Sequence, residues 1–138
     1  MRLLLLGRGK TGKLVAEVAR ERKHDVRVLG AEENPGGSAL TAEALAGIDA
    51  VIDFTTPQAV IPNIIGCMQA KRPIVVGTTG WYDKLAMVRD LVRESEGSFL
   101  YAPNFSVGVN VFFTSMIVTL EIKSGARAPD DIPDYLTH

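Results

Sequence analysis

Three glycines in six residues, Gly7-Arg8-Gly9-Lys10-Thr11-Gly12, follow the apolar run Leu3-Leu4-Leu5-Leu6 and precede a helix-patterned stretch. A strand that feeds a helix through such a turn lets the backbone come close to a pyrophosphate, and the helix N-terminus offers its free N–H groups. Gly7, Arg8, Gly9, Lys10, Thr11 and Gly12 are therefore expected to hold the phosphates of a nucleotide or dinucleotide. The G-x-G-x-x-G pattern alone is weak, because glycines recur in turns for steric reasons; its position between a strand and a helix strengthens it. In the dinucleotide reading a carboxylate about 20 residues further on accepts hydrogen bonds from the adenosine ribose. Glu32 and Glu33 both fall there. The competing reading is a pair of solvated loop carboxylates, and the variable length of that loop leaves the choice between the two open. No arginine follows within the loop to neutralise a 2′-phosphate, which favours NAD(H); Arg8 or Lys10 could still reach one, so NADP(H) stays open.

A rival site uses the same turn. Gly7, Gly12 and Lys13 satisfy G-x-x-x-x-G-K, and Ala50-Val51-Ile52-Asp53 passes as a Walker B strand. Phosphoryl transfer needs a Ser or Thr hydroxyl after the lysine to hold magnesium, and Leu14 stands there. The P-loop NTPase reading ranks below the dinucleotide one.

Three further turns fall where strands are expected to end: Phe54-Thr55-Thr56-Pro57, Gly77-Thr78-Thr79-Gly80 and Ala102-Pro103-Asn104-Phe105-Ser106. Ligands of open parallel sheets bind at that edge. Their hydroxyls and amides could contact a nicotinamide carboxamide and ribose, against a plainer reading as ordinary turn chemistry.

The elements that must position these turns are legible as short apolar runs alternating with helical periodicity. Strands are expected over Arg2–Leu6, Asp25–Leu29, Asp49–Phe54, Pro73–Val76 and Ser98–Tyr101. Leu14, Val15, Val18 and Ala19 form a stripe that could lie against the sheet, with Lys13, Glu17, Arg20 and Glu21 outside. Thr56-Pro57 reads as a helix start, the threonine hydroxyl capping, and Pro62 as a point where that helix kinks or restarts. Asp83 is the expected N-cap of a third helix bearing Leu85, Val88, Leu91 and Val92. The stretch 30–39 is a loop by composition, and Thr41–Leu45 fits a short helix. The fold class that follows is α/β, a Rossmann-like doubly wound parallel sheet in a single domain.

With 138 residues, 46% hydrophobic and 22% charged, the chain has the composition of one globular domain. Its 15 basic and 16 acidic residues leave a net charge of −1, so nothing calls for nucleic acid or an anionic membrane. The opening apolar run stops after four residues and is no signal sequence, and residues 109–122 are too short and polar to cross a bilayer. Cys67, the one cysteine, reads as a buried structural thiol; a cytoplasmic location fits. No metal-ligand spacing is present.

Taken together, Gly7–Gly12, Asp53-Phe54-Thr55-Thr56-Pro57, Val76-Gly77-Thr78-Thr79-Gly80 and the run Ala102 to Asn110 resemble the cofactor domain of the 4-hydroxy-tetrahydrodipicolinate (dihydrodipicolinate) reductase family, over about residues 1–120. The resemblance implies an NAD(P)H-dependent reduction in the diaminopimelate route to lysine, with nicotinamide contacts at Gly77, Thr78 and Thr79 and at Ala102, Pro103, Asn104 and Phe105. The family's glycine turn commonly has one more residue between its first two glycines. Its members continue into a substrate domain with a paired-histidine motif and a Lys-x-Asp-Ala-Pro-Ser-Gly-Thr segment. Here only His24 and His138 occur, outside any such motif, so no catalytic residue is carried over. Expected domains are 1–122 for the dinucleotide and 123–138 as a tail that is a remnant of, or replacement for, a substrate domain. A dicarboxylate substrate would bind only if such a domain were supplied; the alternative is a dinucleotide-binding module or subunit without turnover. The apolar segment 109–120 is expected to drive homo-oligomer formation.

Overall fold

The computed structural model describes residues 1–106. Met1–Pro103 form one compact unit, and Asn104–His138 fall in a second. The expected boundary at 122 and the segment 109–120 expected to drive self-association lie outside the described residues.

The first unit runs β1 (Arg2–Leu6), α1 (Lys10–Glu21), β2 (Asp25–Leu29), β3 (Ala50–Asp53), α2 (Pro57–Gln69), β4 (Ile74–Val76), α3 (Leu85–Ser95) and β5 (Phe99–Tyr101). All pairings are parallel, in the order β2-β1-β3-β4-β5. Strand ends differ from the sequence expectation by at most a residue. Leu3 to Leu6 are all buried, as a central parallel strand covered on both faces requires. Side chains alternate across it: Leu4 and Leu6 join Val60, Ile64, Cys67 and Met68 of α2 in the main core, whereas Leu5 faces α1 beside Gly12.

The rotation of α1 departs from expectation. Gly12, Ala16 and Ala19 are its buried residues, while Leu14 is 59% and Val18 39% exposed. The cause lies at its first turn: Gly12 packs so tightly on the Gly7 carbonyl that a Cβ there would overlap it. At roughly 100° per residue, placing Gly12 inward carries Ala16 and Ala19 inward and turns Leu14 outward. Close approach to the glycine turn therefore outweighs burial of the larger side chains.

Other local expectations are also corrected. α2 runs unbroken from Pro57 to Gln69 through Pro62. One missing donor does not break a helix whose inner face is held by buried Val60, Asn63 and Ile64. Thr56 does occupy the N-cap of α2, but its hydroxyl makes no capping bond. Asp83 is not a cap: Tyr82–Lys84 form a 3-10 turn and α3 begins after Lys84. Residues 42–47 make successive turns rather than a helix, with the Ala44 N–H donating to Thr41 Oγ1 at 3.2 Å. The connection from β2 to β3 thus crosses β1 with only a 3-10 turn at Pro35–Gly37. No helix among the described residues is long and apolar enough to cross a membrane.

Candidate functional site

From β1 the chain crosses to β2 on one side, and β3 lies on the other, so the ends of β1 and β3 form the switch point where a parallel sheet opens a crevice. Gly7 makes the turn there. Its φ is +104°, its N–H donates to Leu29 O at 2.9 Å, and a Cβ would overlap the Phe54 carbonyl. Two neighbouring clefts of about 350 Å³ each open on this edge. One lies between the start of α1 and the ends of β3 and β4, with Lys10, Thr11, Gly12, Gly77, Thr78 and Thr79 in its walls. The other lies over the ends of β1 and β2, with Gly7, Arg8, Gly30, Ala31, Asn34 and Asn63. Gly9, Phe54 and Thr55 belong to both.

The first cleft is suited to an anion on one wall. α1 starts at Gly9 in extended conformation with no side-chain cap and no acidic residue in its first turn, and Lys10 and Thr11 flank the opening. The first-turn amides and the helix dipole are therefore offered to a ligand rather than to a carboxylate of the chain itself. On the opposite wall stand Thr55 and Thr78. Trp81, nearly fully buried, holds the turn after β4 by donating from Nε1 to Thr78 O at 2.8 Å.

Arg8 does not point along the helix end. Its guanidinium reaches over the end of β2, 2.5 Å from Glu33 Oε2 and 3.5 Å from Val28 O. The Gly30 N–H donates to the same Glu33 oxygen at 2.7 Å. That bond, foremost, holds the Glu33 carboxyl below its ordinary range; slight desolvation opposes it and the Arg8 charge reinforces it. Glu32 and Glu33 are both exposed and line neither cleft, but Glu33 is joined to Arg8, which lines the second. Of the remaining expected residues, Ala102 is buried, its N–H donating to Val76 O at 3.2 Å, and neither it nor Pro103 lines either cleft. Asn104 and Phe105 belong to the second unit, where Asn104 Oδ1 accepts from the Ser106 N–H at 2.7 Å.

Asp53, read from sequence only as a rival metal ligand and as part of a motif, is wholly buried beneath the crevice. Both its oxygens accept hydrogen bonds from Thr55, Thr78 and Asn63, so it is committed inside the fold. Asn63 and Asn34 were missed altogether. The available signal was an asparagine one helical turn from Ala59 and Cys67 on an otherwise apolar helix face, with an acidic residue closing an apolar strand. Cys67 is buried as expected, and burial, with the Asp53 charge second, pushes its thiol up to about 12, an inert group. Among the described residues no cluster of three or more His, Cys, Asp or Glu could hold a metal ion.

Residues 1–105 match the family model described as "Dihydrodipicolinate reductase, N-terminus". The chain belongs to this family. Proteins named 4-hydroxy-tetrahydrodipicolinate reductase are similar to it: that of Christiangramia forsetii is 38% identical over 113 residues, 82% of this chain and 46% of the relative. That of Laribacter hongkongensis is 45% identical over 71 residues, 51% of this chain and 26% of the relative. That of Geobacter sulfurreducens is 32% identical over 126 residues, 76% of this chain and 46% of the relative. The chain thus spans less than half the length of these relatives.

Proposed function

We propose that this chain is the cofactor-holding part of an NAD(P)H-dependent reductase of the 4-hydroxy-tetrahydrodipicolinate type. The observation that carries the reading is the uncapped first turn of α1 opening on a cleft whose far wall bears Thr55 and Thr78, in a chain of this family. In this reading the amides of Lys10, Thr11 and Gly12 hold the linking phosphates. The adenosine lies over Gly30 to Gly36, and the nicotinamide lies toward Thr55, Gly77, Thr78 and Thr79. The bound dinucleotide supplies a hydride; the chain's residues bind and orient it. Glu33, already paired with Arg8, faces the adenosine ribose, and its charge makes NADH the preferred form over NADPH.

Hydride delivery to a dicarboxylate imine also needs a proton donor and cationic partners. The paired-histidine and Lys-x-Asp-Ala-Pro-Ser-Gly-Thr motifs that the resemblance associates with the substrate are absent from this sequence. We therefore expect this chain to bind NADH without substrate-dependent oxidation of it. Trp81, the one tryptophan, is bonded to Thr78 O and so reports on this cleft. NADH should quench its fluorescence and stabilise the fold by RT ln(1 + [L]/Kd), about 2.7 kcal/mol at a hundredfold excess over Kd, read as a rise in Tm. Unchanged fluorescence and Tm at millimolar NADH and NADPH would overturn the proposal.

A further inference from the structure

Asp53 ends β3 in the middle of the sheet, fully buried, and its carboxylate accepts hydrogen bonds from four donors. Oδ1 accepts from the Thr55 N–H at 2.8 Å, the Thr55 hydroxyl at 2.6 Å and the Thr78 hydroxyl at 3.1 Å. Oδ2 accepts from Asn63 Nδ2 at 2.8 Å. The chain of bonds continues outward: Asn63 Oδ1 accepts from Asn34 Nδ2 at 2.8 Å, and Asn34 Oδ1 accepts from the Ala39 N–H at 3.0 Å.

The direction of this chain cannot reverse. A backbone N–H can only donate, so Ala39 requires the oxygen of Asn34 to face it. Asn34 must then donate to Asn63, and Asn63 must donate to position 53. At the other end the Thr55 amide also only donates. A side chain at position 53 must therefore accept at both of its ends, which a carboxylate does and an amide cannot. Thr55 and Thr78 spend their hydroxyl protons on Asp53, and Thr78 Oγ1 in addition accepts from the Thr55 N–H at 2.9 Å. Toward the cleft that both residues line, their oxygens are left as acceptors only.

We propose that Asp53 is a positioning residue that sets the polarity of this cleft wall: it turns the Thr55 and Thr78 hydroxyls into obligate acceptors, so the ligand group docked there is a neutral hydrogen-bond donor and not a phosphate. The proposal rests on the dinucleotide reading above and deepens it. The phosphates are left to the α1 amides, and the donor is either the nicotinamide carboxamide or a hydroxyl of its ribose. Charge and donor pattern thus orient the dinucleotide between two unlike walls of one cleft.

The test compares NAD⁺ with two analogues by calorimetry on the full chain. One has a carboxylate in place of the carboxamide (nicotinic acid adenine dinucleotide); the other has 2′-deoxyribose on the nicotinamide side. The wild type should bind at least one analogue about tenfold more weakly than NAD⁺, the size of discrimination a buried hydrogen bond provides. The analogue affected identifies the donor. In Asp53→Leu that ratio should fall below about threefold, because a side chain with no acceptor frees the threonine hydroxyls to donate. Thr55→Val keeps Asp53 and the β-branched shape, and should lower the ratio in the same way even if Asp53→Leu fails to fold. Equal binding of all three ligands by the wild type, or an unchanged ratio in Thr55→Val and in folded Asp53→Leu, overturns the role of Asp53 and leaves dinucleotide binding standing. Absence of NAD⁺ and NADH binding to the wild type overturns the dinucleotide reading and this inference with it.

Discussion

Replacing Gly12 by alanine sets two effects of opposite sign against each other. On intrinsic propensity alone the change should stabilise α1, since alanine is better than glycine inside a helix by about 1 kcal/mol. The new methyl, however, would overlap the Gly7 carbonyl oxygen and lie 3.2 Å from its carbon, both backbone atoms that no rotamer change can move. To restore ordinary contact the start of α1 must retreat from the turn by about 1 Å. Overpacking of this kind costs about 1 to 3 kcal/mol, and a backbone obstacle places it in the upper half of that range. The net effect is a destabilisation of about 1 to 2 kcal/mol, read as a fall in Tm of roughly 5–10 °C for a unit of this size. The same retreat withdraws the first-turn amides from the cleft, so NADH affinity should fall at least about tenfold, the cost of one hydrogen bond to a charged group. Differential scanning calorimetry and isothermal titration measure the two. A Tm equal to or above the wild type, with native NADH affinity, would refute the argument that glycine contact sets the position and rotation of α1.

Gly9→Asp tests the anion wall from the other side. Nothing lies within 4 Å of a Cβ at Gly9, and the residue is the uncapped N-cap of α1. An aspartate there should stabilise the fold by about 0.5 kcal/mol through capping and the helix dipole, while weakening NADH binding at least about tenfold, because it occupies the amides that the phosphates need. Parallel losses of stability and affinity would contradict this. Glu33→Gln keeps an acceptor for the Gly30 N–H but removes the charge paired with Arg8. The NADPH-to-NADH affinity ratio should rise by about tenfold, the released guanidinium being available to a 2′-phosphate. An unmoved ratio in paired titrations would place the ribose elsewhere.

How much of this was legible in the chain divides along a physical line. Arg2–Leu6 was readable because a central parallel strand buried on both faces writes itself as an apolar run, and the edge strand Asp25–Leu29 because its charged and apolar residues alternate with the period of a strand. The glycine turn was readable because its spacing between strand and helix is local. Caps and turns were read less well: Asp83 has the right side chain for an N-cap, yet the 3-10 turn around it places the start of α3 beyond Lys84.

By itself, the amino-acid order determined five short strands, most of them joined through helices, and a glycine turn between the first strand and the first helix, since periodicity and glycine placement act over a few residues. Only the tertiary structure decided which face α1 buries, because that depends on Gly12 meeting Gly7 and not on which side chains are largest. It also decided that Arg8 pairs with Glu33 across 25 positions, and that Asp53 gathers Thr55, Thr78, Asn63 and, through Asn63, Asn34 into one directed network. Such partners are chosen by where the sheet brings loop ends together, and a hydrogen bond between distant residues leaves no period in the sequence.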